Sequence, residues 1–413
     1  MPVNSAPISS GPTRSQSIAP TYVTAFSLVS ALGVGNQQTL DSLRNQRSGL
    51  RYYDMGPGLG STWFGFVDDA QTPKVEGEFG NYDNNCIRLA QAALNQDGIL
   101  EAVAAARERY GSHRIGVFLG SITGGSDQLE CFYRDGSIYS KAAFKLVDQY
   151  HQSGSLISIT LFVRRMLGVT GPYATIGTAC SSSAKVFAAA SRAIQAGICD
   201  AAIVAGAEGF NETLIHGFRS LGVLSANPCR PWDKKRDGIN LGAAAGLALL
   251  ERHPVSPDNL RLVGYGESCD GYHMTAPHPE GAGVELCMRQ ALATAGLQPD
   301  EIDYINAHGS ATPMNDASED AAIQRIFGRD MPCSSTKGWT GHTQGAAGIT
   351  EAIILLMSMR ENLAPASLNT EELDEGMGCR ILLQNEPMAI RYGLTNSMGF
   401  GGNNSTLIFG APL

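Results

Sequence analysis

A chain of 413 residues, 43% of them hydrophobic and 17% charged, exceeds the ~100–200 residues of one ordinary domain, so two domains or two fused halves around a large core are expected. Its net charge of −9 lacks the cationic field that a phosphate backbone requires, which excludes nucleic acid as the expected partner. No apolar run reaches the ~18 residues that cross a bilayer, which excludes a helical membrane span.

Residues 1–20 are rich in Ser and Pro, have no apolar stretch and read as a flexible tail, not a signal peptide. From Tyr22 onward, short β-like runs alternate with amphipathic or Ala-rich helical runs, the pattern of an α/β protein with mixed sheets. Strands are expected over 114–120, 201–207, 245–251, 302–308 and 406–409, and helices over 84–96, 180–197, 284–296 and 345–359. The strands at 114–120 and 302–308 each precede a glycine-containing loop, and each half then reaches a turn that opens an Ala-rich helix. Two similar halves, 21–255 and 256–413, follow from that echo, with the break in the HPVSPDN turn formers before the strand LRLVGYGE. The 48 glycines, without a collagen period, point to many tight turns. The nine cysteines are odd in number, scattered and never form C-x-x-C, a pattern of reduced thiols in the cytoplasm and not of disulfides or a metal site.

Cys180, in IGTACSSSAKVFAAA, stands at the start of a helix. There the free N–H groups and the partial positive charge favour thiolate and pull a Cys pKa from ~8.5 toward ~7. A small cysteine packed under a helix gives the same pattern, so this motif alone leaves the matter open. His308 ends a strand in INAHGSATPMND, and His342 sits in a Gly-rich turn that feeds a helix in SSTKGWTGHTQGAAG. Strand ends in α/β folds are where ligand and catalytic groups collect. Lys337 adds a cation, and a solvated surface lysine is an equal reading of it. In TNSMGFGGNNSTLIF, Phe400 lies in a Gly-rich bend that exposes backbone N–H groups, suited to an oxyanion or to a plain tight turn.

Taken in order, VTAFSLVSALGVGNQQTLDSLRNQRSGL, TACSSS, RPWDKKRDG, DGYHMTAPHPEGAG, NAHGSATPMND, SSTKGWTGHTQGAAG and NSMGFGGNNSTLIF closely resemble the elongating β-ketoacyl-acyl carrier protein synthases over nearly the whole chain. The resemblance implies a thiolase-like fold of two similar αβαβα halves with layered mixed sheets. It implies that Cys180 takes an acyl chain from a carrier-protein thioester. His308 and His342 then hold the enolate made by decarboxylating a malonyl thioester, and the backbone N–H groups of Cys180 and Phe400 form the oxyanion hole. Lys337 would pair with Glu319, and Asp316 would add support. Thr275, Ser310 and Thr312 would line the pantetheine arm, and Thr123, Phe218 and Phe400 the acyl pocket. The Cys-His-His set differs from the Cys-His-Asn of initiating synthases, and no cysteine follows Cys379, unlike thiolases.

The same resemblance implies no metal and no cofactor of the chain's own, the phosphopantetheine being supplied by the acyl carrier protein. It implies a dimer, with a second copy or with a chain-length factor. A carrier protein is acidic, and Arg230, Lys234, Lys235 and Arg236 are the candidate docking cations; a solvated loop or internal ion pairs is an equal reading of them. A non-catalytic chain-length-factor-like subunit is the alternative, disfavoured by the intact Cys180, His308 and His342. Departures from the family pattern are Ala243 for a glutamate, Gln344 for an apolar residue, Ser310 for a threonine, Ala311 for a serine and Thr123 for a larger aliphatic. They suggest a specialised enzyme, such as one of polyene or aryl polyene biosynthesis.

Overall fold

The computed structural model describes residues 17–134 and 150–412; most of the expected tail, 1–16, lies outside them. The first half runs β1 (Thr21–Ser30), α1 (Asn85–Leu94), α2 (Ile99–Tyr110), β2 (Ile115–Gly120), α3 (Leu156–Met166), β3 (Tyr173–Ile176), α4 (Ser182–Gln195), β4 (Ala201–Glu208), α5 (Glu212–Ser220) and β5 (Ala244–Glu251). Residues 252–259 then lead into β6 (Leu260–Cys269), α6 (Ala282–Ala295), β7 (Tyr304–Asn306), α7 (Pro313–Phe327), β8 (Pro332–Ser334), α8 (Ala347–Glu361), β9 (Tyr392–Gly399) and β10 (Asn403–Gly410). All five expected strands and all four expected helices are present.

The two halves repeat one topology. In the first, β2 pairs parallel with β3 and β4, β4 pairs antiparallel with β5, and β5 antiparallel with β1. In the second, β7 pairs parallel with β8 and β9, β9 antiparallel with β10, and β10 antiparallel with β6. A short antiparallel contact between Thr21–Val23 of β1 and 260–262 of β6 joins them into one sheet. The segment after β3 therefore corresponds to the segment after β8, and the loop after β2 to the loop after β7.

The strand composition follows from layering. Both faces of each half-sheet are covered by helices, so the strands read as continuous apolar runs and not as an alternation with polar residues. Along β4, Ala202 and Val204 face the central helices while Ile203 and Ala205 face the outer ones. Along β10, Leu407 and Phe409 point to the centre and Ile408 outward. The central layer is α4 and α8, packed against each other and against both half-sheets through Ala184, Phe187, Ile349, Ile353 and Leu356. Helices α1, α2 and α3 cover the outside of the first half, and α6 and α7 that of the second. The result is an αβαβα stack whose halves share their middle layer, and both middle helices begin at the same place.

Close approach of α4 and α8 is set at Gly348, where a Cβ would stand 2.4 Å from the backbone N of Ala184 and 2.6 Å from its Cβ. No side chain fits there without parting the helices. Gly348→Ala is expected to destabilise the protein by about 1–3 kcal/mol in a denaturant melt, the range for overpacking a close-packed core. Gly217, exposed within α5 with open space around its Cα, makes the contrast: Gly217→Ala is expected to raise stability by about 0.5–1 kcal/mol through helix propensity alone.

Candidate active site

Cys180 sits on a strained turn between β3 and α4. Ala179, just before it, has φ +53°, a left-handed conformation uncommon for a residue with a side chain. The serines of TACSSS explain how the turn holds: Ser181 Oγ donates to the Thr178 carbonyl at 2.8 Å, Ser182 Oγ to the Ala179 carbonyl at 2.6 Å, and Thr178 N–H donates to Ser182 Oγ at 2.9 Å. Helix α4 proper starts at Ser182, two residues later than the thiol. The Gly399 end of β9 approaches from the other side, where a Cβ would lie 3.2 Å from the Cys180 nitrogen and 2.8 Å from the Thr178 carbonyl oxygen. Glycine at 399 therefore leaves free the space where the N–H groups of Cys180 and Phe400 meet, both of which are within reach of the thiol sulfur.

Burial decides the state of that thiol. Cys180 is 4% exposed, and desolvation pushes its pKa up to about 11, against the pull of the Lys337 charge and of the Phe400 N–H. The depression toward ~7 expected from its helix-start position is thus overturned. Burial penalises thiolate more than one helix terminus and one buried ammonium favour it.

The two imidazoles face each other with ring centroids 5.2 Å apart and planes at 81°. His342 accepts at Nδ1 the backbone N–H of Gln344 at 3.1 Å, and its backbone N–H donates to the Asn240 carbonyl at 2.7 Å. His308 Nδ1 lies 3.2 Å from Lys337 Nζ. An ammonium only donates, so both rings have Nδ1 occupied as an acceptor and carry their proton on Nε2. Desolvation, followed by repulsion from Lys337, holds both pKa values well below the usual imidazole value, so both rings are neutral.

Lys337, 1% exposed, fixes this arrangement. Its ammonium donates to the His308 carbonyl and pairs with Glu351, in addition to its contact with His308 Nδ1. The expected Lys337–Glu319 pair is corrected by this geometry. Glu319 is occupied elsewhere, accepting the N–H groups of His308 and Gly309 at 2.8 Å each and the Asn396 carboxamide at 3.0 Å. It holds the turn that carries His308, and its charge reaches Lys337 only through space. Burial raises the Glu351 carboxyl to about 7 against the pull of Lys337. Asp316 supports the next turn, accepting the N–H of Ala311 at 3.1 Å and of Trp232 at 2.9 Å. Ala311 itself is buried at φ +65° beside Leu50 and Cys229, apolar surroundings that a methyl group suits.

A single pocket is lined by Cys180, His308, His342, Phe400, Phe218, Thr275, Ser310 and Thr312 together with Val223, Ile239 and Met398. The Phe218 and Phe400 rings lie 5.8 Å apart, and the Ser310 and Thr312 hydroxyls 2.9 Å apart. Thr123 is not part of that lining: its hydroxyl is turned to the buried Glu208, which Ser121 Oγ and the Ile122 N–H also satisfy, and it touches Cys86 Sγ at 3.3 Å. Ala243 lines a separate cavity with Phe66, Arg88 and Phe210. Gln344, at φ +55° and 1% exposed, finds no partner for either carboxamide atom among the described residues.

Glu351, Glu208 and Asn396 were not anticipated. Glu351 was visible as the one carboxylate in the apolar run from Ala347 to Met359, and Glu208 as a carboxylate closing an otherwise apolar strand. Charged residues are almost never fully buried without a partner, so each position signals one. Among the described residues no group of three His, Cys, Asp or Glu side chains could hold a metal, and no helix is long and apolar enough to cross a membrane.

Residues 19–255 match the β-ketoacyl synthase N-terminal domain family, and residues 260–371 the β-ketoacyl synthase C-terminal domain family. The chain is 36% identical over 314 residues to 3-oxoacyl-[acyl-carrier-protein] synthase 2 of Vibrio cholerae, covering 72% of this chain and 75% of that one. It is 37% identical over 314 residues to the protein of that name from Coxiella burnetii, covering 71% and 75%. A chain of the ketosynthase–chain length factor complex from Xenorhabdus doucetiae superposes with a TM-score of 0.87 at 37% identity, over 95% of this chain and 98% of that one.

Two measurements probe the electrostatics. Alkylation of Cys180 by iodoacetamide is expected to be slow at pH 7 and to climb with pH toward about 11, because only the thiolate reacts. In Lys337→Met the same rise is displaced to higher pH, since the cation that favours thiolate is gone. Nitrogen-15 NMR of histidine-labelled protein at pH 6 is expected to show two neutral rings protonated on Nε2; a protonated imidazolium at either His308 or His342 would contradict the geometry.

Proposed function

The chain belongs to the β-ketoacyl synthase family and is a condensing acyltransferase, and from that premise we propose how its own residues divide the reaction. Cys180 Sγ attacks the carbonyl carbon of an acyl thioester on the phosphopantetheine arm of an acyl carrier protein. The tetrahedral oxyanion is received by the N–H groups of Cys180 and Phe400. Collapse breaks the carbon–sulfur bond to the arm, whose thiolate takes the proton that Cys180 gave up, and the acyl group stays on Cys180. A malonyl thioester then enters. Its carboxylate leaves as carbon dioxide, and the electron pair of the broken bond passes into an enolate whose oxygen accepts the two Nε2–H bonds of His308 and His342. The enolate carbon attacks the acyl carbonyl, the Cys180–carbonyl bond breaks, the Cys180 thiolate regains a proton from water, and a 3-oxoacyl thioester departs on the carrier.

The observation that carries this division is the pair of neutral imidazoles locked at Nδ1, one by a backbone N–H and the other by a buried ammonium. A ring so held presents a donor and has no basic nitrogen free. It stabilises an anion and does not extract a proton. Thr275, Ser310 and Thr312 are assigned to the pantetheine arm, and Phe218 and Phe400 to the acyl chain, because they line the pocket that reaches Cys180. The intact thiol and imidazoles disfavour a non-catalytic subunit.

Residues 21–255 form the half that carries the nucleophile and residues 256–413 the half that carries the imidazoles. A dimer is supported by the open sheet edge at β3, where Tyr173 is exposed, and by the exposed Leu156 and Ile157 at the start of α3; the partner is a second copy or the chain length factor of a specialised pathway. A cytoplasmic location fits the nine free cysteines.

Mass spectrometry after mixing with acylated carrier protein is expected to find the acyl group on Cys180, and Cys180→Ala to abolish it; condensation at the unsubstituted rate by that variant would refute the assignment. His308→Ala and His342→Ala should each still acylate while losing decarboxylation by about 10²–10³, the effect of deleting one oxyanion donor.

A further inference from the structure

One polar side chain interrupts the apolar run that leads into β5. In INLGAAAGLALL (239–250) that side chain is Asn240, and it is fully buried. Asparagine is mostly an exposed residue, and burying a carboxamide is tolerated where its donors and acceptor find partners. Those of Asn240 find them on one neighbouring loop. Oδ1 accepts the Cys229 N–H at 2.6 Å, and Nδ2 donates to the carbonyls of Asn227 at 3.0 Å and Ser225 at 3.2 Å. The backbone adds two bonds of 2.8 Å, from the Ser225 N–H to the Ile239 carbonyl and from the Ile239 N–H to the Val223 carbonyl. Segment 223–229 is thereby fastened to residues 239 and 240.

The other side of the same segment carries His342. The Asn240 carbonyl accepts the His342 backbone N–H at 2.7 Å, and the Gly242 N–H donates to the His342 carbonyl at 3.1 Å. Residues 240–242 therefore hold the main chain of this imidazole at both its donor and its acceptor. The fit leaves no slack: a Cβ on Gly242 would lie 2.1 Å from the Thr340 carbonyl oxygen, and one on Gly341 2.4 Å from that of Leu241. With the two chains in contact, a displacement of 240–242 is a displacement of His342. His308 is steadied by other means, through the Lys337 ammonium at its ring and its carbonyl.

We infer that Asn240 is a positioning residue for the decarboxylation step: its carboxamide anchors the segment that fixes His342, and so sets where the His342 Nε2–H points. The inference rests on the role proposed above for His342. An enolate oxygen that accepts two N–H bonds at once needs both rings within about 0.5 Å of the productive geometry, and Asn240 supplies the anchor on the side that Lys337 does not reach. Val223 and Ile239 line the pocket together with His342, so the same anchor keeps the wall beside the substrate in register with the donor. Acyl transfer to Cys180 relies on the N–H groups of Cys180 and Phe400 and does not call on His342, which separates the two half-reactions.

The test measures both half-reactions in the full chain, hexanoyl transfer from hexanoyl-pantetheine to Cys180 and carbon dioxide release from malonyl-pantetheine. Asn240→Leu is expected to lower kcat for carbon dioxide release about tenfold to a hundredfold, the scale on which a small misplacement acts, with its KM and the hexanoyl transfer unchanged. Asn240→Ala, which leaves room for water beside the same backbone groups, should show the same split and serves where the larger side chain prevents folding. Combined with His342→Ala, neither substitution should lower carbon dioxide release further, because a residue that acts through His342 has nothing left to position. Asn259→Ala removes a comparable carboxamide, one that accepts the N–H groups of Val255 and Ser256 at 2.9 Å each in the turn before β6, and should change neither half-reaction. Unchanged carbon dioxide release in both Asn240 variants, an equal loss of the two half-reactions, the same loss in the His342→Ala background, or a selective loss in Asn259→Ala would each overturn the inference. A His342→Ala protein that releases carbon dioxide at the unsubstituted rate would instead strike at the proposed role of His342, and the inference would fall with it.

Discussion

The Lys337 ammonium is the constraint on which the rest of the site depends. A charge 1% exposed is tolerable only when paired and fully hydrogen-bonded, and each of its partners does a separate structural job. Glu351 neutralises it from the central helix α8, the His308 carbonyl ties it to the loop after β7, and His308 Nδ1 is left no proton to carry. Removing the ammonium would therefore leave a buried carboxylate unpaired and an imidazole free to change tautomer. The same positive charge adds to desolvation in keeping both imidazoles neutral, and it is the main group opposing the desolvation of Cys180. One side chain thus acts on the protonation of three others that burial dominates, reinforcing desolvation at the two imidazoles and opposing it at the thiol.

Much of this was legible before any coordinates. The strands and helices with clean apolar runs and the two-half echo follow from local pattern, and the meeting of Cys180, His308, His342 and Phe400 is what the family resemblance implies. The losses have physical reasons. The short strands β3 and β8 are four and three residues long, too short for periodicity to register. The Lys337 partner was misassigned because a motif places residues along the chain and not across it: Glu319 shares a segment with His308, whereas Glu351 comes from the next helix. The pKa of Cys180 was misjudged because a helix terminus can be read from a sequence, but the depth of burial opposing it cannot. Thr123 was placed in the acyl pocket from its neighbours in GSITGG, although a hydroxyl buried next to a carboxylate turns to that carboxylate.

The shared middle layer makes the halves interdependent. Helix α8, from the second half, packs on β4 and β5 of the first, and α4 and α8 touch at a glycine that admits no side chain. Neither half retains its inner face without the other. Two of the departures from the family pattern, Gln344 and Thr123, fall around this junction: the Gln344–Gly345 turn abuts the carboxylate of Glu208, where a Cβ on Gly345 would lie 2.5 Å from Oε1, and Glu208 in turn holds Thr123. Two unpaired amide atoms in a closed interior stand as a local cost that the packing of α4 against α8 has to absorb.

The repeat of topology has one more effect, on the electric field. Because the segment after β3 and the segment after β8 are equivalent, α4 and α8 both begin at the reaction centre, one just beyond Cys180 and the other just beyond His342. Each helix contributes roughly half a positive charge at its start, so duplication of the fold brings two fields of the same sign to one chamber. Decarboxylation shifts a negative charge from a carboxylate to an enolate oxygen without changing the net charge of the substrate. A chamber with two positive poles beside fixed neutral imidazoles favours that migration toward the protein interior, and it does so with backbone dipoles that no change of pH can titrate away.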